Sequence, residues 1–356
     1  MDIYLPRNPA WVLAGEQMDT EMNRSAAIPV PEILRQLDAH ICEVAIFRAA
    51  LELEVWAKVA AGEDSVERLS AAEHWDPLGT RMLLDDLCTL KLLAKEGDQY
   101  QLVPEAEHYL LPDKPTYKGR GFLTHFCWEG NGQLAEAIRT GKRPINYNAT
   151  TSEAIDIWIG AYSRSWAAPE TYLKDCDAMW HALGIHGHDG LRILDLACGP
   201  APKSLALALA NPGVRLTLLD WERILQVAHK VAADLGVDNQ VRSLSGDLTS
   251  AAYGHGQYDV AFLGDVTHFF SPQQNIRIFR KAYDALVDGG ILIVNATRGE
   301  YLDPTEHGLW YYAISAGGAY NFAEYQDMLE HAGFTNIVDT NIVDLRIQPI
   351  KATKRL

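Results

Sequence analysis

Apolar residues recur at three- to four-residue spacing along the first part of the chain. From about Pro31 to Ala61, Ile33, Leu37, Ile41, Val44, Leu51 and Val55 form one stripe, which predicts a single long amphipathic helix ended by Gly62. Asp64-Ser65-Val66-Glu67 then reads as a capping-box-like start for a short helix. Asp76-Pro77 places a capping acid before a proline at the first helical position and opens a second helix through LGTRMLLDDLCTLKLL. AKEGDQYQLV follows as a hairpin turning at Glu96-Gly97-Asp98, and PEAEHYLL closes the unit. Two short helices and a β-ribbon make a winged-helix pattern. Between about Tyr117 and Leu183 the chain stays helical and becomes aromatic. Trp158, Tyr162 and Trp166 repeat there at four-residue spacing, a stripe that must face something apolar.

The glycines of GIHGHDG (184–190) mark a linker, and the period changes after it. Strands are predicted at RILDLA, VRLTLLD, VRSLSGD, YDVAFLG and GILIVNA, alternating with helices such as PKSLALALAN and RILQVAHKVAADLG. That alternation means a parallel sheet covered on both faces. The 356 residues exceed the usual single core. They divide into an N-terminal winged-helix or dimerisation domain (1–116), a helical connecting region lining a substrate pocket (117–185) and an α/β sheet domain (186–356).

A net charge of −16 argues against nucleic acid or an anionic membrane as the main partner. The second helix of the winged-helix pattern carries Asp85 and Asp86 beside Arg81 and Lys91, which favours packing or dimerisation over DNA reading. A ligand-responsive DNA-binding regulator is the rival reading from another class. The cysteines, Cys42, Cys88, Cys127, Cys176 and Cys198, lack C-x-x-C spacing. They suggest neither a zinc site nor a disulfide framework and fit a reducing cytoplasm. No metal-ligand set is read. The start, MDIYLPRNPAWVLAG, lacks a signal-peptide pattern, and no apolar run is long enough to span a bilayer. A cytoplasmic protein is expected.

Ligands in doubly wound sheets sit at the carboxyl ends of the strands. Asp195, Asp220, Asp247 and Asp265 are predicted there, one acid after each of the first four strands. Asp220, with Trp221 beside it, stands where a carboxylate can accept both hydroxyls of a ribose. The turn after the first strand, ILDLACGPAPKS (193–204), brings Ala197, Gly199 and Ala201 to its mouth, small residues that let backbone approach a ligand. It lacks G-x-G-x-x-G, and Pro202 removes one of the N–H groups that would cradle a pyrophosphate. An adenosine ligand without phosphate suits the turn better than NAD, and S-adenosylmethionine (SAM), whose sulfonium matches a ring of acids, has that character.

ILDLACGPAP resembles the first motif of class I SAM-dependent methyltransferases, with Ala197 and Ala201 in place of two of its glycines. LGDVTHFFSPQQNIRIFRKAYDALVDGGILIVNA and NFAEYQDMLEHAGFTNIVDT extend the likeness to the small-molecule O-methyltransferase family with an N-terminal winged-helix dimerisation domain. The resemblance implies a Rossmann-like methyltransferase sheet, a homodimer, and SAM as cofactor. It also implies that Asp220 holds the ribose, Asp247 and Leu248 flank the adenine, Gly264 and Asp265 line the cofactor pocket, and His268 is the general base. Many O-methylating relatives follow that histidine with an acid and a tryptophan, whereas Phe269 and Phe270 follow here. That keeps carbon methylation of a lipophilic or prenyl-type acceptor open, with Glu170 as a carboxylate base near aromatic faces. The expected acceptor pocket lies between the sheet edge and the aromatic helices. Phe126, Trp158, Tyr162, Trp166, Trp310 and Tyr311 are its candidate lining.

Overall fold

The computed structural model describes residues 31–114, 116–119, 123, 128–143, 145, 151–165, 169–188, 190–301, 308–342 and 348–356. The expected single N-terminal helix is two: α1 (Glu32–Glu52) and α2 (Val55–Ala60). Glu54 between them takes a left-handed φ of 54°. The break turns Val55, Trp56 and Val59 into a small core with Leu69, Leu84, Leu87 and Tyr100. The upstream stripe does not share in that core: Ile33, Leu37 and Ile41 are 56%, 56% and 61% exposed.

α3 (Val66–Glu73) is capped by Ser65, which accepts from the Arg68 N–H. Asp64, one residue earlier, pairs instead with the Arg68 guanidinium at 2.8 Å. At α4 (Pro77–Thr89) the expected cap holds, with Asp76 accepting from the Gly79 N–H at 2.7 Å. The antiparallel ribbon of β1 (Leu93–Glu96) and β2 (Gln99–Leu102) and the short α5 (Pro104–Tyr109) complete this part. The middle region supplies α6 (Trp128–Gly132), α7 (Leu134–Thr140), α8 (Ser152–Ser165) and α9 (Pro169–Ala182).

The remaining strands are β3 (Arg192–Leu196), β4 (Arg215–Asp220), β5 (Val241–Ser245), β6 (Tyr258–Gly264), β7 (Leu286–Asn295), β8 (Thr335–Asp339) and β9 (Ile350–Thr353). They form one sheet in the order β5-β4-β3-β6-β7-β9-β8. Pairing is parallel from β5 to β7, while β9 runs antiparallel to both β7 and β8. Side chains alternate between two buried faces. Leu194 and Leu196 pack with Phe279 on one, and Ile193 with Trp180, Leu205 and Leu225 on the other. The helices over these faces are α10 (Pro202–Ala210), α11 (Glu222–Asp234), α12 (Pro272–Ala285) and α14 (Phe322–Ala332). Capping boxes at Ser271/Gln274 and Asn321/Glu324 start the last two. Between them lies α13 (Gly308–Ile314). β3 is flanked by β4 on one side and β6 on the other, so the strand order reverses there. That reversal opens a crevice at the carboxyl ends of β3 and β6. Among the described residues, no helix is long and apolar enough to cross a membrane.

Candidate active site

The loop leaving β3 places Ala197, Gly199 and Ala201 at φ of 55°, 56° and 56°. Left-handed backbone at alternate positions folds it tightly, and small side chains keep it low. The Cys198 N–H reaches the Leu219 carbonyl at 3.1 Å, tying the loop to the end of β4. Asp220, the last residue of β4, accepts the Gly199 N–H at 2.9 Å on Oδ2 and the Trp221 N–H at 2.7 Å on Oδ1. Each oxygen keeps lone-pair capacity for a further donor. Tyr162 lies directly over the loop. A Cβ on Gly199 would stand 3.1 Å from its ring and its hydroxyl.

Asp195 is the fourth of five residues in β3, so it lies within the strand, one residue before its end, and not after it as expected. It is buried and accepts the Ser204 hydroxyl at 2.5 Å. Burial pushes Asp195 up to about 7 against the pull of Ser204. Asp220 is pushed up to about 6, again by burial, with the Gly199 and Trp221 N–H groups opposing. Asp247, two residues past β5, accepts the Thr249 N–H at 2.9 Å, and Leu248 beside it is buried. At the end of β6, Gly264 leaves no room for a side chain, since a Cβ would lie 2.7 Å from the Phe262 ring. Asp265 follows at φ 56° and pairs with Lys203 at 2.5 Å, bridging the first turn of α10 to the end of β6.

His268 sits in a single 3₁₀ turn, Thr267–Phe269, and is 3% exposed. Its ring lies 4.4 Å from that of Phe269 and 4.3 Å from that of Tyr311. Its Nδ1 is buried without a hydrogen-bond partner among the described residues. Burial pulls the imidazole down to about 4, Asp265 opposing and Lys203 adding to the shift, so the ring is neutral near pH 7. A Cβ on Gly317 would lie 2.0 Å from the His268 carbonyl oxygen, so the turn needs glycine beside it. Trp158 joins the halves of the site, edge-on to Phe269 at 5.0 Å and stacked with Tyr162 at 6.3 Å. Tyr311 is fixed by its hydroxyl, which donates to Thr297 Oγ1 at 3.1 Å.

Of the residues expected to face the acceptor, Trp158, Tyr162 and Tyr311 thus lie on one aromatic path running from the β3 loop to His268. Phe126 and Trp166 lie outside the described residues. Glu170 and Trp310 are placed by backbone alone, in the first turn of α9 and on α13. Sequence reasoning missed Lys203, Ser204 and Gly317. The first two had a signal, two polar residues in the opening turn of an otherwise apolar helix.

The donor set accommodates a sulfonium nucleoside. Asp220 keeps acceptor capacity for a diol, and the small residues of the β3 loop keep its backbone low. A pyrophosphate would meet Pro202 in place of an N–H at the start of α10, and Lys203 already held by Asp265.

A family of methyltransferase domains matches residues 193–290. The chain is 26% identical over 264 residues to the L-tyrosine C(3)-methyltransferase of Streptomyces lavendulae, covering 68% of this chain and 70% of that protein. It is 26% identical over 316 residues to the tetracenomycin polyketide synthesis 8-O-methyl transferase TcmO of Streptomyces glaucescens, covering 83% and 88%. The crystal structure of human N-acetylserotonin methyltransferase in complex with SAM superposes with a TM-score of 0.67 at 19% identity, over 93% of this chain and 100% of that one. At that identity the superposition speaks for the fold.

Proposed function

We propose that this chain, which belongs to the class I SAM-dependent methyltransferases and within them to the small-molecule O-methyltransferase family, methylates an oxygen of a small aromatic or otherwise lipophilic acceptor. The observation that carries the reading is His268: a buried, neutral imidazole with an unpartnered Nδ1, joined through Phe269 and Trp158 to the tyrosine over the β3 loop. Bound SAM supplies a methyl group on a sulfonium, an electrophile that needs only an aligned nucleophile and the exclusion of water. Asp220 accepts the ribose hydroxyls on its remaining lone pairs. Asp247 and Leu248 flank the adenine. Asp195, Ala197, Gly199, Trp221, Gly264 and Asp265 complete the cofactor pocket. Trp158, Tyr162 and Tyr311 give the acceptor flat apolar walls, and His268 takes the acceptor's hydroxyl proton. Methyl-labelled SAM and a panel of phenols test this with the full chain. Label in an aryl methyl ether is the expected product; SAM binding with no transfer to any acceptor refutes it.

Carbon methylation is the second reading, and Phe269 and Tyr311 around His268 favour it. A deprotonated phenol is nucleophilic at its ortho carbon as well as its oxygen, so the same base serves either atom. Label on a ring carbon decides for it. Replacing Glu170 then tests whether a carboxylate assists.

The exposed stripe of α1 supports the homodimer implied by the family. Ile33, Leu37 and Ile41 recur at helical spacing and are more than half exposed, an apolar stripe that a second copy of the chain would cover. Asp85 engages Arg81 at 3.7 Å and Lys95 at 2.7 Å, so the ribbon and α4 offer phosphates little free positive charge, against the DNA-binding alternative. Ile41→Asp is expected to convert dimer to monomer in sedimentation velocity while SAM still binds. An unchanged sedimentation coefficient removes this face from the interface.

A further inference from the structure

Near the amino edge of the sheet, opposite the β3 loop, the segment between α9 and β3 folds back on its own helix end. Asp177 and His181 stand four residues apart on α9 and share a face. Gly184, at φ 69°, turns the chain, and the N–H groups of Ile185 and His186 both reach the Trp180 carbonyl, at 3.0 and 3.2 Å. The Asn211 side chain holds the Gly187 N–H at 2.8 Å. Trp180 is itself anchored, fully buried, with its indole N–H donating to the Lys203 carbonyl at 2.6 Å. The turn returns His186 to the shared face. Its Nε2 lies 3.4 Å from Asp177 Oδ1, and His181 Nε2 lies 3.8 Å from Asp177 Oδ2. One ligand atom from each residue falls within 4.8 Å of the others. The two imidazole ring centroids lie 3.5 Å apart, and Asp177, whose side chain is 38% exposed, keeps its Oδ1 atom out of solvent with no hydrogen-bond partner among the described residues.

We propose that Asp177, His181 and His186 form a binding site for a divalent transition-metal ion, zinc above all. Two imidazole nitrogens and one carboxylate oxygen are a zinc donor set, whereas magnesium and calcium select oxygen. Metal bonds of about 2.0–2.2 Å in tetrahedral geometry put ligand atoms roughly 3.3 Å apart. The Asp177–His186 separation already has that value, and the exposed His181 reaches it by rotating about its side-chain bonds. Backbone order comes from Gly184, the Trp180 carbonyl and Asn211, so little conformational freedom remains to be lost on binding. A metal here clips the last turn of α9 to the segment entering β3. It therefore stabilises the seat of the aromatic helices on the sheet and takes no part in methyl transfer.

The test uses the full-length, tag-free chain stripped with EDTA, titrated with zinc by calorimetry and with cobalt by visible absorbance. One ion per chain is expected, together with a zinc-dependent rise in Tm. Asp177→Asn and His186→Gln should each weaken binding at least about tenfold and abolish the Tm rise, with unchanged far-UV circular dichroism and methyl transfer. Should either variant lose its fold, His181→Gln at the exposed position gives the same readout. Absence of saturable zinc binding, or equal binding by parent and folded variants, overturns the proposal.

Discussion

Replacing His268 by alanine is expected to lower kcat about 10²- to 10⁴-fold, the usual contribution of a positioned general base. SAM affinity is expected to stay within about threefold, because on the proposed reading the change removes a proton acceptor and not a cofactor contact. His268→Asn should behave the same way while filling more of the space between Phe269 and Tyr311, which separates lost chemistry from lost packing. The pH profile adds a sign. With the imidazole pulled down to about 4 by burial, protonation of His268 takes activity away only as pH falls toward that value. The acid limb assigned to this group therefore lies well below the ordinary histidine range, and turnover should not halve near pH 6.5 on its account. Rates measured with saturating acceptor from pH 4.5 to 8.5 check this, once SAM is saturating at every pH. A variant with undiminished kcat removes His268 from the mechanism.

The elements that sequence pattern located are those whose signals are local. Asp76-Pro77 announces α4 because cap and first turn are adjacent residues, and the five parallel strands are apolar-rich runs that alternate with helices. Glu54 gave no warning of the break between α1 and α2, because neither glycine nor proline marks it. The stripe of Ile33, Leu37 and Ile41 shows the general limit of periodicity: it identifies an apolar face but not what that face meets. Tyr162 illustrates the same point at the site. Its place in an aromatic stripe was legible; its seat over Gly199 was not. Contacts spanning long stretches of sequence were beyond reach for the same reason. Lys203 and Asp265 meet across 62 residues, and His186 joins Asp177 only after Gly184 reverses the chain. The strand-end position of Asp220 was readable because the rule for doubly wound sheets ties it to strand order alone.

Affinity for SAM is expected to rise at least about tenfold between pH 5 and pH 7, because on the proposed reading Asp220 accepts the ribose hydroxyls as a carboxylate, and it sits at about 6 in the free enzyme. Asp195, at about 7, steepens the rise if the sulfonium draws off its proton as well. Linkage fixes a companion sign in stability. Both groups hold protons in the native state that the unfolded chain releases near the ordinary carboxylate range. Their contribution to stability is full below about pH 4 and is lost as pH climbs through about 6 and 7. His268 acts oppositely, its contribution being full above about 6.5 and lost as pH falls through about 4. The Tm of the free enzyme therefore mixes the two. The rise in Tm caused by saturating SAM isolates the acids, and it should grow from pH 5 to pH 7. Calorimetry in two buffers of different ionisation enthalpy should also register proton release on binding near pH 6. Asp220→Asn is expected to remove the Asp220 share of that release together with one acceptor of the Gly199 and Trp221 N–H groups, lowering affinity by a further step that does not depend on pH. A SAM affinity independent of pH in the parent enzyme means that Asp220 does not hold the ribose as a carboxylate.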